Sequence, residues 1–420
     1  MMQRKSKLVL AVLSTLALPG VAWAEADADD TKAGNLKGVV SGIELQVYGK
    51  LYPEFVTVSQ DGATAAAAKS AATLGAAPTG VNTPNRNEIN SSNSRIGIRG
   101  EKNLGGGIKA MAQVEYKLSV DNSGTSPGTN LSSRDTWVGV GSGFGTVKLG
   151  NMDTVYKQIG DTLSFLGVSS GNFVTNSNII AKGGFGSSSA SSFHLRRANV
   201  VVYESPTIGG FQFLGMYGPD EAKDVGRNAD LVSYGVTFTG VKNLYLALSH
   251  EEHNDLFGGS KNVASSLSNS SNLAAHSKDT STRGTVQYKF GSTTAELNVA
   301  TTELSESGGT VGKFAGYKHD SWSLGVAQKF GKWNAAVQFS NAAAGSCTLI
   351  GGAACSTTGM EGKQIALGGS YDFPEASIFV MYAKVVNGAS AQYDNRENNS
   401  PTLAAGADIS QLAVGVNFKF

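Results

Sequence analysis

The chain is poor in the features that mark most membrane proteins and most enzymes. Beyond its N-terminal stretch no segment approaches the roughly 18 consecutive apolar residues of a transmembrane helix, which excludes helical spans. A β-barrel stays open, because its strands need only about 10 residues with every second one apolar. An excess of either charge is also missing. The 34 Lys and Arg stand against 33 Asp and Glu, which argues against a polyanionic partner such as nucleic acid. Cysteine is scarce: Cys347 and Cys355 lie eight residues apart in a Gly/Ala/Ser/Thr-rich stretch, with no third or fourth ligand nearby for a metal. The pair suits a small loop disulfide in an oxidising compartment, or else two free thiols. The histidines (His194, His250, His253, His276, His319) sit in no nucleophile or metal motif. His250-Glu251-Glu252-His253 spaces its rings i, i+3 on a strand, which aims them to opposite sides; the metalloprotease arrangement needs i, i+4 on one helix face. The chain therefore reads as no enzyme, with no cofactor.

The N-terminus supplies a compartment. Arg4, Lys5 and Lys7, an apolar run from Leu8 to Ala17, a break at Pro19-Gly20 and then Ala22-Trp23-Ala24 make a secretory signal peptide, residues 1–24, cleaved after Ala24. Residues 25–42 read as a short acidic extension. Taking the three leader bases from the 34 leaves 31 against 33 acidic groups, a formal charge of −2.

From residue 43 onward a period of two dominates. Ile43, Leu45, Val47 and Leu51 alternate with Glu44, Gln46, Tyr48 and Lys50, and at the far end Leu412, Val414, Val416 and Phe418 alternate with Gln411, Ala413, Gly415, Asn417 and Lys419. Such strands offer one face to lipid and one to water. A soluble antiparallel sandwich also alternates, so the connections decide. Strands fall near 43–59, 94–101, 108–120, 132–140, 146–152, 196–205, 211–218, 230–239, 243–252, 281–290, 293–303, 317–330, 333–342, 363–372, 376–387 and 409–420. Short turns, such as 141–145, Gly291-Ser292 and Gly331-Lys332, alternate between them with long polar loops. Turns on one rim and loops on the other are the bacterial barrel pattern. Tyr288/Phe290, Phe330, Tyr371/Phe373 and Phe418/Phe420 stand just before short turns or the chain end, as an interfacial aromatic girdle would. The expectation is all-β: a transmembrane antiparallel β-barrel of about sixteen strands spanning residues 43–420.

Several segments carry a closer likeness. "LQVYGKLYPEF", "SRIGIRGEKNLGGGIKAMAQVEYKLS", "SRDTWVGVGSGFGTVKLGN", "NVVVYESPTIGGFQF" and "VGVNFKF" resemble the Gram-negative general porins of neisserial and related proteobacterial outer membranes. The resemblance implies an outer-membrane diffusion channel for ions and small hydrophilic solutes, a homotrimer, and a third long loop, about residues 153–194, folded into the lumen. An alternative for that loop is a surface position with its apolar Leu163-Ser164-Phe165-Leu166 against a neighbouring subunit. The family usually has Arg where this chain has Val202 and Asn151, which implies a less basic pore wall. Phe420 resembles the terminal aromatic that the barrel-assembly machinery reads.

By parity Lys50, Arg95, Arg99, Glu101, Glu115, Lys117 and Lys148 point inward. Arg134 and Arg197 join them by resemblance, since the alternation around them is mixed. Lys50, Arg95 and Lys148 are expected in a basic wall, and Asp153 and Asp161 on a loop facing it, with weak selectivity slightly favouring anions. Two other functions remain at this point: a substrate-selective porin, and a surface adhesion barrel with a plugged lumen.

Overall fold

The computed structural model describes residues 36–40, 42–66, 74–75, 77–91, 93–119, 131–160, 162–163, 165, 172–224 and 226–420. The expected signal peptide and Asp161 lie outside them. The first half of the sheet comprises β1 (Leu36–Val40), β2 (Ile43–Leu51), β3 (Glu54–Asp61), β4 (Arg86–Asn90), β5 (Arg95–Gly105), β6 (Ile108–Leu118), β7 (Leu131–Ser133), β8 (Thr136–Ser142), β9 (Gly145–Asp153), β10 (Arg196–Glu204) and β11 (Phe211–Gly218). The second half comprises β12 (Leu231–Phe238), β13 (Leu244–Asn254), β14 (His276–Phe290), β15 (Thr293–Ser307), β16 (Phe314–Phe330), β17 (Trp333–Ala342), β18 (Ser346–Leu349), β19 (Ala354–Cys355), β20 (Gly362–Asp372), β21 (Ala376–Asn387) and β22 (Asp408–Lys419). Between β9 and β10 lie the short helices α1 (Val155–Gly160) and α2 (Ser177–Ile180).

These segments build a closed antiparallel barrel of sixteen spanning strands. β2 and β3 are one strand stepped at Tyr52-Pro53, and β4 with β5 and β7 with β8 are likewise single strands. Closure comes from β22, which pairs with β3 from Asp408↔Asp61 to Gly415↔Glu54 and with β2 at Lys50↔Lys419 and Leu51↔Phe418. No spanning strand is left with a free edge, as backbone amides in lipid require.

Parity sorts the side chains. Phe55, Ile98, Val114, Val138, Leu149, Phe213, Leu248, Val299, Leu324, Val337, Leu367 and Val414 are exposed on the outer face. Residues of the opposite parity face the interior, and Lys50, Glu54, Arg95, Glu115 and Lys148 among them are buried. At the short-turn rim the aromatics gather in contacts: Phe211 with Phe238 at 4.6 Å, Tyr288 with Phe290 at 4.5 Å, Trp333 with Tyr371 at 4.9 Å. Two-residue turns at that rim use Gly291 (φ 60°) and Gly331 (φ 62°), in the left-handed conformation such turns demand.

The structure differs from the sequence reading in three places: the outer ends of β14 to β16, the added strand β1, and the β18–β19 hairpin that carries the expected disulfide. β14, β15 and β16 run to 15, 15 and 17 residues, beyond the expected 281–290, 293–303 and 317–330. Their outer ends carry Lys278, Glu303 and Lys318 on the outward face, so the ladder continues above the apolar belt with no hydrophobic alternation to reveal it. Lys278–Glu252 (2.8 Å) and Lys318–Glu303 (3.8 Å) pair across the strands there. The acidic extension contains β1, which pairs with β2 from Leu36↔Val47 to Val40↔Ile43. It covers the edge of β2 that β22 leaves open beyond Phe420, whose N–H and C=O both bond Gly49 at 3.0 Å. Finally, β18 and β19 form a loop hairpin in which Cys347 and Cys355 lie opposite each other and are joined by a disulfide.

Candidate functional site

The interior is two-sided. On one side, inward residues of β3, β21 and β22 (Val56, Val58, Phe379, Met381, Val385, Ile409) form an apolar cluster with Phe165, Phe173, Val174 and Ile179 of the β9–β10 loop. That loop leaves the wall after Asp153 and crosses to strands far from its origin. Tyr156 donates its N–H to Ser233 Oγ at 3.0 Å, Thr162 donates to Glu296 Oε2 at 2.6 Å, and Asn176 donates to Ser323 Oγ at 2.9 Å. Asn172 donates to Glu54 Oε1 at 3.2 Å. Ser233, Glu296, Ser323 and Glu54 are all buried inward-facing residues, so the described residues between 154 and 195 lie within the barrel.

The other side, from β2 through β10, carries charge. Glu115 is its hub: Arg134 Nε donates to Oε1 at 2.6 Å, Tyr48 Oη donates to Oε2 at 2.9 Å, and Arg95 Nε stands 3.8 Å from Oε2. A second group joins Arg196 to Asp135 (2.6 Å) and to Asp153 (2.7 Å), with Lys157 on the same Asp153 oxygen at 2.9 Å. Lys148 pairs with Glu204 at 2.6 Å and lies over the Trp137 ring, 4.7 Å from its centre. Arg99 donates to Gln46 Oε1 at 2.8 Å and covers Tyr48, and Lys50 lies over Tyr52 at 5.9 Å. Buried charges need such partners, because one left alone costs several kcal/mol.

This geometry changes two expectations. Asp153 is not on a loop facing the wall: it is the last residue of β9, on the wall itself, held by Arg196 and Lys157. The wall is not plainly basic either, since Glu115, Asp135, Asp153 and Glu204 interleave with the bases. Asp135 stands just before β8, where no strand alternation marks it, and Glu204 was missed although β10 alternates regularly up to it. Arg197 has an identifiable cause for its mixed pattern. Ala198 and Asn199 together oppose Asn151 in a β-bulge, which returns Arg197 to the face of its partner Met152; its guanidinium donates to Ala229 O at 3.2 Å. The rings of His250 and His253 do point to opposite sides: His250 meets outward Tyr234, while His253 is buried against Phe193 and bonded to Glu251 at 2.9 Å.

A sequence profile described as "Gram-negative porin" matches residues 9–388. The chain belongs to that family. Among curated relatives of this porin, the major outer membrane protein P.IB of Neisseria lactamica is 27% identical over 279 residues, 60% of this chain and 77% of the relative. P.IB of Neisseria gonorrhoeae is 30% identical over 151 residues, 36% of this chain and 39% of that protein. Among solved structures, an anion-selective porin from Comamonas acidovorans superposes with a TM-score of 0.63 at 18% identity, covering 90% of this chain and all of that one. Salmonella typhi OmpF gives 0.59 at 13% identity, covering 92% of this chain. These likenesses show the fold; family membership makes this porin a general diffusion channel of the outer membrane.

Proposed function

We propose that passage through this porin is set where the β9–β10 loop faces the paired charges of β2 to β10, that Lys50, Arg95, Arg99, Glu115, Arg134, Lys148, Asp153 and Arg197 line that passage, and that selectivity is weak. The interleaving of acids among the bases around Glu115 and Asp153 carries this reading. Alternating signs give a strong local field with little net charge, so small ions of both signs can pass. The protein performs no bond-making step and works as a homotrimer after its leader is removed. A Vibrio cholerae OmpT structure described as a trimer form, with a TM-score of 0.59 at 14% identity, supports the assembly. The test is a planar bilayer with the purified, folded protein: stepwise conductance without an energy source, in groups of three per insertion, is expected. A folded barrel that does not conduct defeats the channel, and single steps per insertion defeat the trimer.

A further inference from the structure

The infolded loop is not alone in the lumen. Residues 388–407, between β21 and β22, also turn inward, and Tyr393, Asp394, Asn395 and Arg396 are all buried. They stack on the first loop: Gln392 N–H donates to Gly184 O at 2.9 Å, Lys182 Nζ to Asp394 O at 2.9 Å, and Asn395 Nδ2 to Phe173 O at 2.8 Å. Gln411, an inward residue of β22, donates to Asn395 Oδ1 at 2.8 Å. Arg396 and Asp394 close a buried ion pair at 2.7 Å that stiffens the turn. The tip then reaches along the wall to the strands two and three places on from β22. Lys117 of β6 pairs with Glu397 at 2.9 Å, and Arg86 of β4 donates to Asn398 O at 2.7 Å. We propose that this last loop is a second constriction element, buried in the lumen on the first loop and latched to the adjoining β4–β6 wall by Lys117–Glu397 and Arg86–Asn398, so that the aperture is set by two loops rather than one.

The latch differs from the loop's other contacts. Asp394 and Arg396 are enclosed, whereas the Lys117 and Glu397 side chains are 34% and 28% exposed. An ion pair that water reaches is a weak tie, and losing it raises the released population of the tip about 2- to 5-fold. The inference rests on the channel reading, and the experiment separates the two. With Lys117→Cys and Glu397→Cys in one chain, the oxidised protein holds the tip and the reduced protein frees it, with equal charge at both positions. Wild-type protein under the same reductant controls for Cys347–Cys355. The expected result is a larger conductance step, or excess open-channel noise, in the reduced double variant, with wild-type-like steps after oxidation. A complementary readout is Glu397→Gln at about 0.1 M salt, whose difference from wild type should narrow at about 1 M, where screening falls to about 3 Å. Equal conductance and noise in oxidised and reduced double variant overturns the second constriction. Absence of any conductance from wild type would instead overturn the channel.

Discussion

Glu115 answers two arginines and a tyrosine at once, so its charge is worth more to the field of the pore than that of any base beside it. Glu115→Gln leaves Arg95 and Arg134 without their shared counter-charge. The reversal potential in a salt gradient should move toward anions, while Lys50→Gln with Arg95→Gln should move it toward cations. The two shifts must have opposite signs; the same sign, or none at low salt, means these residues do not border the path of the ions. The Glu115 variant also leaves buried charge less well paired, at a cost of about 3–5 kcal/mol before relaxation, so heat resistance of the barrel should fall alongside. His194, on the infolded loop, supplies a pH test. Burial, with Lys157 adding to it, holds its imidazole well below the ordinary range. A loop released from its site takes up that proton near the usual pH of about 6.5, the packed loop only further down. The packing is therefore fully stable above the ordinary imidazole range and weakens as pH falls through it. Amide-exchange protection of residues 154–195 should drop on acidification toward pH of about 5.5, and His194→Gln should flatten the dependence. Protection that ignores pH in the wild type would refute the assignment.

At the level of elements, what could be read in the sequence and what could not divide along one physical line. Each spanning strand meets lipid on one face and water on the other, and that contrast is written into Leu412, Val414 and Val416 against Gln411, Ala413 and Gly415. Elements wet or enclosed on both sides carry no such contrast. The outer ends of β14 to β16 and the five residues of β1 were therefore invisible, and nothing in residues 388–407 signalled that they turn inward. The seam between chain ends was half legible: Phe420 was singled out, while its partner Gly49 was not. A Cβ built on Gly49 would lie 2.5 Å from the Phe420 ring and 2.7 Å from Arg95 O, so any side chain there must push the last residue off the barrel or separate β2 from β5. Gly49→Ala should accordingly lower the yield of heat-modifiable barrel in the outer membrane as much as deletion of Phe420 does, with export across the inner membrane unchanged. Normal folded yields from both variants would show that the seam closes without this contact.

For the molecule as a whole, the decisive feature is that the infolded loops pack on one apolar cluster at β3, β21 and β22 and the first of them on a second from β6 to β13, with the paired charges of β2 to β10 beside them. The apolar side, built on β3, β21 and β22, gives both loops a hydrophobic floor; Gln364 and Gln411 donate to their backbone carbonyls at Val174 and Asn395, and Asn176 donates its side-chain amide to Ser323. The near balance of 34 basic and 33 acidic groups says little about what passes, because only charges within a Debye length of the path count, about 8 Å at physiological salt. Along the charged side Lys50, Arg95, Arg99, Lys117, Arg134, Lys148, Lys157 and Arg196 face Glu54, Glu115, Asp135, Asp153, Glu204 and Glu397. The bases outnumber the acids slightly, and Val202 stands buried in the wall as a neutral residue between them. The expected preference is therefore small and toward anions. In a tenfold potassium chloride gradient the reversal potential should lie on the anion side and well short of the ideal-selectivity limit of roughly 59 mV, the tenfold one-electron step. The shift for a given concentration ratio should shrink as the salt on both sides is raised toward 1 M, where screening is about 3 Å. Val202→Arg adds a base on this side, within the apolar cluster that also holds Val155 and Ile159 of the infolded loop, and should enlarge the anion preference at low salt. A cation preference in the wild type, or indifference to the new arginine, would mean that ions travel past the loops by another route than the charged side of the lumen.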